Sequence, residues 1–193
     1  MIALTLLGPP GSGKTTQAKR IAEFLDVSWI SPGHIFRDFE KIDNDIYTEI
    51  KMYTNKGLSV PADLTYQVFE KWPQFEREKR GYIFDSHPRN VDDYTYFNIF
   101  LKENDIDLKA AICLTVAEEE LLRRLNRRAY IEGRDDETLE VIQQRITVYI
   151  EQTIPLLDIL SKDVSVYDIN GELESDLVWE EIKAVLSPFE ELL

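Results

Sequence analysis

One short stretch of the chain carries glycines, a lysine and a threonine at a spacing suited to phosphate binding. Residues 8–15 read GPPGSGKT and fit the pattern G-x-x-x-x-G-K-[ST]. In such a loop the glycines let backbone N–H groups approach a phosphate, the lysine reaches the terminal phosphates and the hydroxyl joins a magnesium shell. The stretch therefore predicts a phosphate-binding loop. The residues expected at the nucleotide are Gly8, Gly11, Ser12, Gly13, Lys14, Thr15 and Thr16.

A second stretch, residues 84–93, places acidic and basic groups around a proline and reads FDSHPRNVDD. Asp85 ends an apolar run that has the features of a buried strand. Carboxylates at the C-terminal ends of internal parallel strands lie at the edge where α/β proteins bind ligands, and carboxylate oxygens suit Mg²⁺. The pattern predicts that Asp85 faces the same ligand as the phosphate-binding loop.

Arginines are concentrated in one part of an otherwise acidic chain. On a helix, Arg124, Arg127 and Arg128 would share one face, where their mutual repulsion is unfavourable unless anions or acids offset it. Phosphoryl transfer needs such prepositioned cations, because charge develops on the oxygens of the moving group. Pairing with Glu118–Glu120 one turn earlier is the alternative interpretation for Arg123 and Arg127. The arginines in question are Arg123, Arg124, Arg127, Arg128, Arg134 and Arg145.

Strand-like and helical patterns alternate along the chain. Apolar runs predict strands at 2–7, 27–31, 81–85, 110–115 and 164–169. A helix is expected after the first strand, followed by helices over 34–55, 62–79, 91–103, 117–128, 136–161 and 174–187. Pro155 is expected to kink the helix over 136–161. Such alternation is typical of an α/β fold whose parallel sheet is covered on both faces.

Composition limits the classes of partner. The chain has 193 residues, of which 44% are hydrophobic, enough for one well-packed domain. Its formal charge of −14 disfavours binding to nucleic acid or to an anionic membrane surface. The single cysteine, Cys113, allows neither a disulfide framework nor a cysteine-ligated zinc site. With no secretion signal or membrane span in the pattern, we expect a cytoplasmic protein, and we expect it to be a monomer.

Taken together, the motifs resemble the adenylate kinase family of nucleoside monophosphate kinases, in that family's order and over nearly the whole chain. The stretches that carry the resemblance are GPPGSGKTTQAKRIAEFL, SPGHIFR, GLSVP, FDSHPRN, RLNRRAYIEGRDDET and QQRI. The resemblance implies a P-loop three-layer α/β/α fold with a five-stranded parallel sheet, a helical insert that binds the monophosphate, and a lid of arginines. It further implies a single kinase domain over 1–193, with a core at 1–30, 61–126 and 138–193, an insert at 31–60 and a short lid at 127–137.

The same resemblance implies an activity and a set of partners. A chain of this kind would transfer the γ-phosphoryl group of Mg-ATP reversibly to a nucleoside monophosphate, with AMP as the default acceptor and Mg²⁺ as the cofactor. Lys14 would contact the donor phosphates, Thr15 the metal, and Asp85 the metal's water shell. Arg124 would stack on the donor adenine near Gly171.

Residue roles on the acceptor and transfer sides follow from the resemblance as well. Arg37 and Arg89 would bind the acceptor phosphate, and a cis proline after His87 would direct Arg89. The residues implied in acceptor binding are Pro32, Gly33, Arg37, Val60, Ser86, Arg89 and Asp93. The residues implied in catalysis are Lys14, Arg89, Arg128, Arg134 and Arg145.

Departures from the family pattern all fall on the acceptor side, at Pro32, His34, Ser86-His87 and Asp93. A carboxylate at Asp93 accepts hydrogen bonds but cannot donate them, which would suit a base edge that offers donors. Alternatively, Asp93 stabilises the start of the helix over 91–103. These departures leave two other classes open: a P-loop kinase for a non-standard small molecule, and a non-catalytic nucleotide sensor.

Overall fold

The protein is described by a computed structural model that covers residues 1–72, 80–132 and 138–193, with side chains for all of these except 128–132. Five parallel strands form one sheet in the order β2-β3-β1-β4-β5. The strands are β1 (Ile2–Leu7), β2 (Ser28–Ile30), β3 (Gly81–Asp85), β4 (Asp107–Thr115) and β5 (Ser165–Asn170). All four neighbouring pairs are parallel, so the predicted α/β fold with a five-stranded parallel sheet is confirmed.

Helices connect the strands and cover both faces of the sheet. They are α1 (Lys14–Leu25), α2 (Pro32–Ile42), α3 (Asn44–Thr54), α4 (Ala62–Lys71), α5 (Val91–Glu103), α6 (Glu118–Glu132), α7 (Leu139–Val148), α8 (Ile154–Asp163) and α9 (Ser175–Glu190). A π-helical segment, Tyr149–Thr153, joins α7 to α8.

Two long helices expected from the sequence are divided in the structure. The helix expected over 34–55 breaks at Asp43, whose side chain accepts a hydrogen bond of 3.2 Å from the N–H of Ile46 and so caps α3. The helix expected over 136–161 is interrupted by the π-helical segment, and Pro155 lies in the first turn of α8. A proline is tolerated there because the first helical N–H groups have no partner within the helix.

The side chains of β1 alternate between two layers of buried residues. Ala3 and Leu7 pack towards α4, α5 and α8, where Phe69, Phe97 and Leu156 are buried. Leu4 and Leu6 pack towards α1 and α9 on the opposite face. This packing fixes the C-terminal ends of β1 and β3, from which the phosphate-binding loop and Asp85 extend. Among the described residues, no helix is long and apolar enough to cross a membrane.

Candidate functional site

A cleft of about 950 Å³ opens at the C-terminal ends of β1 and β3. Its described wall carries seven basic side chains and one acidic side chain, that of Asp85, although the chain as a whole has a charge of −14. A cleft lined by one sign of charge concentrates field lines and attracts ligands of the opposite sign. The cleft is therefore suited to an anionic ligand of nucleotide size. Its basic residues are Lys14, Lys19, Arg37, Lys51, Arg89, Arg124 and Arg145.

The phosphate-binding loop lies at the floor of this cleft in a conformation that depends on glycine. Gly8, Gly11 and Gly13 have φ angles of 143°, 83° and 90°. A Cβ atom at Gly8 would lie 2.7 Å from the carbonyl oxygen of Leu114, and one at Gly11 would lie 2.9 Å from Cγ of Leu125. Gly13 caps α1 without a side chain, so the positive end of that helix is open to an anion.

Lys14 is held against the loop from which it extends. Its ammonium group donates hydrogen bonds of 2.6 Å to the carbonyl oxygen of Pro9 and 3.3 Å to the hydroxyl of Ser12. The side chain is largely buried yet lines the cleft. The lysine charge is thus positioned over the loop, where the phosphates of a nucleotide would lie.

Thr15 and Asp85 form the part of the site that suits a metal ion. The Thr15 hydroxyl donates a hydrogen bond of 2.8 Å to Oδ2 of Asp85, and the Ser86 hydroxyl donates one of 3.1 Å to Oδ1. Mg²⁺ prefers oxygen ligands of these kinds and usually keeps several water and phosphate ligands as well. The described residues include no group of three or more His, Cys, Asp or Glu side chains suited to a metal. The residues present therefore fit Mg²⁺ bound partly through water and substrate phosphate.

Arg89 follows a His87–Pro88 peptide bond that is cis, as expected. The Nε of Arg89 donates a hydrogen bond of 2.9 Å to the carbonyl oxygen of Ser86, and its own carbonyl accepts one of 2.7 Å from the Thr153 hydroxyl. Desolvation within the cleft lowers the pKa of the Arg89 guanidinium, and the carboxylates of Asp93 and Asp85 oppose this change. The positive charge of Arg145 lowers the pKa further. The guanidinium stays charged at neutral pH, so two like charges share this region. An anion between them would relieve that repulsion.

A buried group of polar side chains lies behind Arg89. The phenol of Tyr66 is 2.7 Å from Nε2 of His87, and Nδ1 of His87 is 3.3 Å from Oδ2 of Asp93. The same Oδ2 accepts a hydrogen bond of 2.9 Å from the backbone N–H of Arg89. Burial alone would raise the pKa of Asp93, but His87 and the Arg89 N–H outweigh it and hold that pKa below its usual value.

The end of the cleft near Gly171 is organised around Arg124. Its Nε donates a hydrogen bond of 2.6 Å to Oε1 of Glu120, and its Nη1 donates one of 2.8 Å to the carbonyl oxygen of Gly171. Glu120 also accepts two hydrogen bonds of 2.7 Å from Arg123. These hydrogen bonds lower the pKa of Glu120 to about 2. The pairing with acids that was considered for Arg123 is therefore present in the structure.

Helices α2 and α3 form the opposite wall. Gly33, Arg37 and Val60 line the cleft there, together with residues that the sequence patterns did not single out as ligand-binding. Among the latter is Trp29, whose ring lies 4.6 Å from Nζ of Lys19 and 5.2 Å from the ring of His34. Lys19 could have been identified from the sequence as a residue of the cleft, because it follows Thr15 by four residues on α1 and so lies on the same helix face.

The structure brings most of the predicted site residues into this one cleft. Those that line it are Gly8, Gly11, Gly13, Lys14, Thr15, Thr16, Gly33, Arg37, Val60, Asp85, Ser86, Arg89, Arg124 and Arg145. Those that lie behind the described lining are Ser12, Pro32, Asp93 and Gly171. Asp93 lies there because its carboxylate is buried against His87 and the backbone of Arg89. The Arg128 side chain and the whole of Arg134 lie outside the described residues.

Comparison with known proteins adds an independent observation. A protein-family model described as adenylate kinase matches residues 6–165. Adenylate kinase from Mycolicibacterium vanbaalenii is 40% identical over 171 residues, which is 89% of this chain and 92% of that protein. Adenylate kinase from Kocuria rhizophila is 36% identical over 186 residues, which is 96% of this chain and 99% of that protein. The similarity thus covers the phosphate-binding loop, Asp85 and the arginines of the cleft.

Proposed function

Because this chain belongs to the adenylate kinase family and is a nucleoside monophosphate kinase, we propose that it transfers the γ-phosphoryl group of Mg-ATP reversibly to AMP. One observation carries the proposal. A single basic cleft in an acidic chain joins the phosphate-binding loop, residues 8–15, to Arg37, Arg89 and Arg145. Two phosphate groups that must meet in line need such a continuous, positively charged space.

The donor half of the proposed site is built on α1 and the end of β3. Lys14 contacts the β- and γ-phosphates, and the hydroxyl of Thr15 and the carboxylate of Asp85 hold Mg²⁺, the latter through water. When bound, the metal would neutralise charge that develops on the phosphate oxygens. Arg124 and Gly171, already joined by a hydrogen bond, flank the adenine of ATP.

The acceptor half of the proposed site is the insert 31–60 together with the turn at Arg89. Arg37 and Arg89 bind the acceptor phosphate, while Gly33, Val60 and Ser86 line the space for the nucleoside. Pro32 lies buried at the start of α2 and supports this wall. We propose that the departures from the family pattern make this half atypical, so the acceptor is the part of the proposal that most needs a direct test.

Transfer requires no general base in this scheme. The acceptor phosphate is already an anion and can attack the γ-phosphorus directly, so the protein contributes alignment, charge and the exclusion of water. Arg89 and Arg145 stabilise the oxygens of the phosphoryl group in transit. Arg128 and Arg134, in a short lid over 127–137, remain proposed partners in that role. The rest of the chain forms the core of the same domain.

The decisive experiment measures turnover of Mg-ATP against AMP, GMP, CMP, UMP and dTMP, with the Lys14→Met variant as the blank. Both nucleotide products are separated by chromatography, so that phosphoryl transfer is distinguished from simple ATP hydrolysis. We expect the highest kcat/KM with AMP. ATP binding without turnover of any acceptor would indicate a sensor, and transfer only to non-nucleotide acceptors would indicate a different small-molecule kinase. The proposal includes a monomeric, cytoplasmic enzyme, and sedimentation at assay concentration tests the oligomeric state.

A further inference from the structure

His87 and Asp93 connect Tyr66, on the distant helix α4, to the backbone of Arg89. Their contacts run from the Tyr66 phenol to Nε2 of His87, then from Nδ1 to Oδ2 of Asp93, and finally to the Arg89 N–H. The exposed fractions are 8%, 1% and 5% for Tyr66, His87 and Asp93. Water is therefore largely excluded from these hydrogen bonds, so the loss of any one of them should cost more free energy than the loss of an exposed hydrogen bond.

The hydrogen bonds that reach Asp93 have a direction that follows from their surroundings. Burial, and then the nearby charge of Asp93, raise the pKa of the Tyr66 phenol, so Tyr66 keeps its proton. The ionised Asp93 carboxylate can only accept hydrogen bonds, so Nδ1 of His87, which faces it, carries a proton. That proton points to Oδ2 of Asp93. One carboxylate oxygen thus receives two donors, one from His87 and one from the Arg89 backbone.

The imidazole is held in place by its neighbours as well as by its hydrogen bonds. The rings of Phe69 and Phe97 approach the His87 ring at centroid distances of 5.5 and 5.1 Å, in edge-on geometry. The Thr5 hydroxyl donates to the carbonyl oxygen of His87. Rotation of the imidazole away from Asp93 would break the two ring contacts. The orientation of the Asp93 carboxylate is therefore set by the protein core.

We propose that His87 and Asp93 are positioning residues, which act through the Arg89 backbone to direct its guanidinium towards the acceptor phosphate. Arg89 is fixed at its N–H by Asp93, at its carbonyl by Thr153, and at its Nε by Ser86. Of these partners, Asp93 is the one secured from behind by a buried imidazole. The inference rests on the proposed function, because it assigns Arg89 to the acceptor phosphate.

The orphaned oxygen of Asp93 supports a positional role. Oδ1 is buried and has no hydrogen-bond partner in the described part of the chain, whereas Oδ2 has two. A carboxylate that only capped a helix would be expected at an exposed position, where water could solvate both oxygens. Here the start of α5 is instead capped by the side chain of Asn90, which accepts from the Asp93 N–H at 2.8 Å. The carboxylate is thus directed at His87 and Arg89.

The test compares His87→Phe, Asp93→Asn and the double variant. Phenylalanine keeps an aromatic ring among the ring neighbours of His87 but cannot donate to Asp93, and asparagine keeps the shape of Asp93 without its charge. Each single change should raise KM for AMP about tenfold while KM for ATP stays within about twofold. Because both changes break the same connection, KM for AMP in the double variant should be no higher than in the more impaired of the two single variants.

A matched control lies on the same helix. Tyr94→Phe removes a hydrogen bond of 2.7 Å to Asp163, next to Asp93 in sequence but directed away from Arg89. It should leave KM for both substrates unchanged. An unchanged KM for AMP in folded Asp93→Asn, multiplicative losses in the double variant, or an equal loss for ATP would each overturn the proposal.

Two further measurements keep the test decisive. If His87→Phe does not fold, Tyr66→Phe removes only the outer hydroxyl and should raise KM for AMP severalfold, and no change there would count against the proposal. Calorimetric binding of AMP needs no turnover. A wild-type protein that binds AMP without transferring phosphate would overturn the proposed function, whereas the loss of AMP affinity in Asp93→Asn would still decide the positioning role.

Discussion

The hydroxyl of Thr15 donates a hydrogen bond of 2.8 Å to Oδ2 of Asp85, across 70 residues of sequence. Thr15 lies in the first turn of α1, and Asp85 ends β3, the strand that pairs with β1 so that Leu6 lies opposite Asp85. The strand pairing therefore brings together the hydroxyl and the carboxylate proposed to hold magnesium. The two oxygens lie 2.8 Å apart, so a single ion could be reached by both side chains.

We expect Asp85→Asn to lower kcat by about a hundredfold and to raise the Mg²⁺ concentration required for half-maximal activity. An amide can occupy the same space but lacks the charge that attracts the hydrated ion. The thermal stability should not fall, because asparagine keeps the shape of the side chain and the substitution removes the cost of a buried charge. Activity as a function of Mg²⁺, together with a melting curve, checks both statements.

The matched control for that substitution is Ser86→Ala. It removes the 3.1 Å hydrogen bond to Oδ1 of Asp85 and leaves the carboxylate charge in place. Its Mg²⁺ dependence should remain close to that of the wild type. An Asp85→Asn variant with a wild-type Mg²⁺ requirement would contradict the assignment of this carboxylate to the metal.

Two glycines of the phosphate-binding loop allow strain and steric overlap to be separated. Gly11 and Gly13 have similar positive φ angles, 83° and 90°. A Cβ at Gly11 would meet Leu125 at 2.9 Å, whereas one at Gly13 would have no atom within 4 Å among those described. Left-handed backbone costs a residue with a Cβ about 1–2 kcal/mol. We therefore expect Gly13→Ala to lower the free energy of unfolding by about that amount and Gly11→Ala to lower it further.

Chemical denaturation of the two alanine variants measures this difference. Since Leu125 is buried on α6, it cannot simply move into solvent to relieve the overlap. ATP affinity should fall in both variants, because the loop backbone must move away from the phosphates. Equal stabilities for the two variants would mean that Leu125 yields without cost.

The features that the sequence predicted well are those coded over short distances. The glycine spacing of residues 8–15 is local, and the positive φ angles at Gly8, Gly11 and Gly13 follow from it. The apolar runs gave all five strands, within a few residues at their ends. Asp85 was also predictable, because a strand that ends in a carboxylate places it at the ligand edge of a parallel sheet.

The features that the sequence did not predict depend on contacts between distant residues. No local pattern joins Tyr66 to His87, because that contact forms only when α4 packs beside the turn that follows β3. The contact between His87 and Asp93 spans six residues, but it depends on the course of that turn and not on a helical or strand period. The break at Asp43 was missed for a different reason. The apolar periodicity continues through it, and only the hydrogen bond from Ile46 to the Asp43 carboxylate reveals a new helix start.

The contribution of Glu120 to stability should depend on pH in a defined window. Hydrogen bonds from Arg123 and Arg124 lower the pKa of Glu120 from 4.5 to about 2. A lowered folded-state pKa means that stability is gained above the unfolded value and lost as the pH falls from about 4.5 towards 2. The melting temperature of Glu120→Gln should therefore lie below that of the wild type at pH 7, and the difference should shrink below pH 4.5.

Glu119→Gln is the control, since it changes the net charge equally one residue earlier on the exposed surface of α6. Added salt should also reduce the effect of Glu120→Gln, because Glu120 and Arg123 are accessible to solvent. A difference in melting temperature that is independent of pH would show that the carboxylate charge is not what stabilises this helix.

Arg89 provides the sharpest separation of the two substrates. Arg89 lines the cleft together with Asp85 and Arg145, whereas Lys14 contacts the phosphate-binding loop. Arg89→Ala should raise KM for AMP and lower kcat, together reducing kcat/KM about a hundredfold or more, with ATP affinity nearly unchanged. Arg89→Lys should recover only part of this loss, because an ammonium group keeps the charge but not the planar fork that binds a phosphate with two hydrogen bonds. Full recovery by lysine would mean that charge alone is required, and an equal loss of ATP affinity in Arg89→Ala would place this arginine at the donor instead.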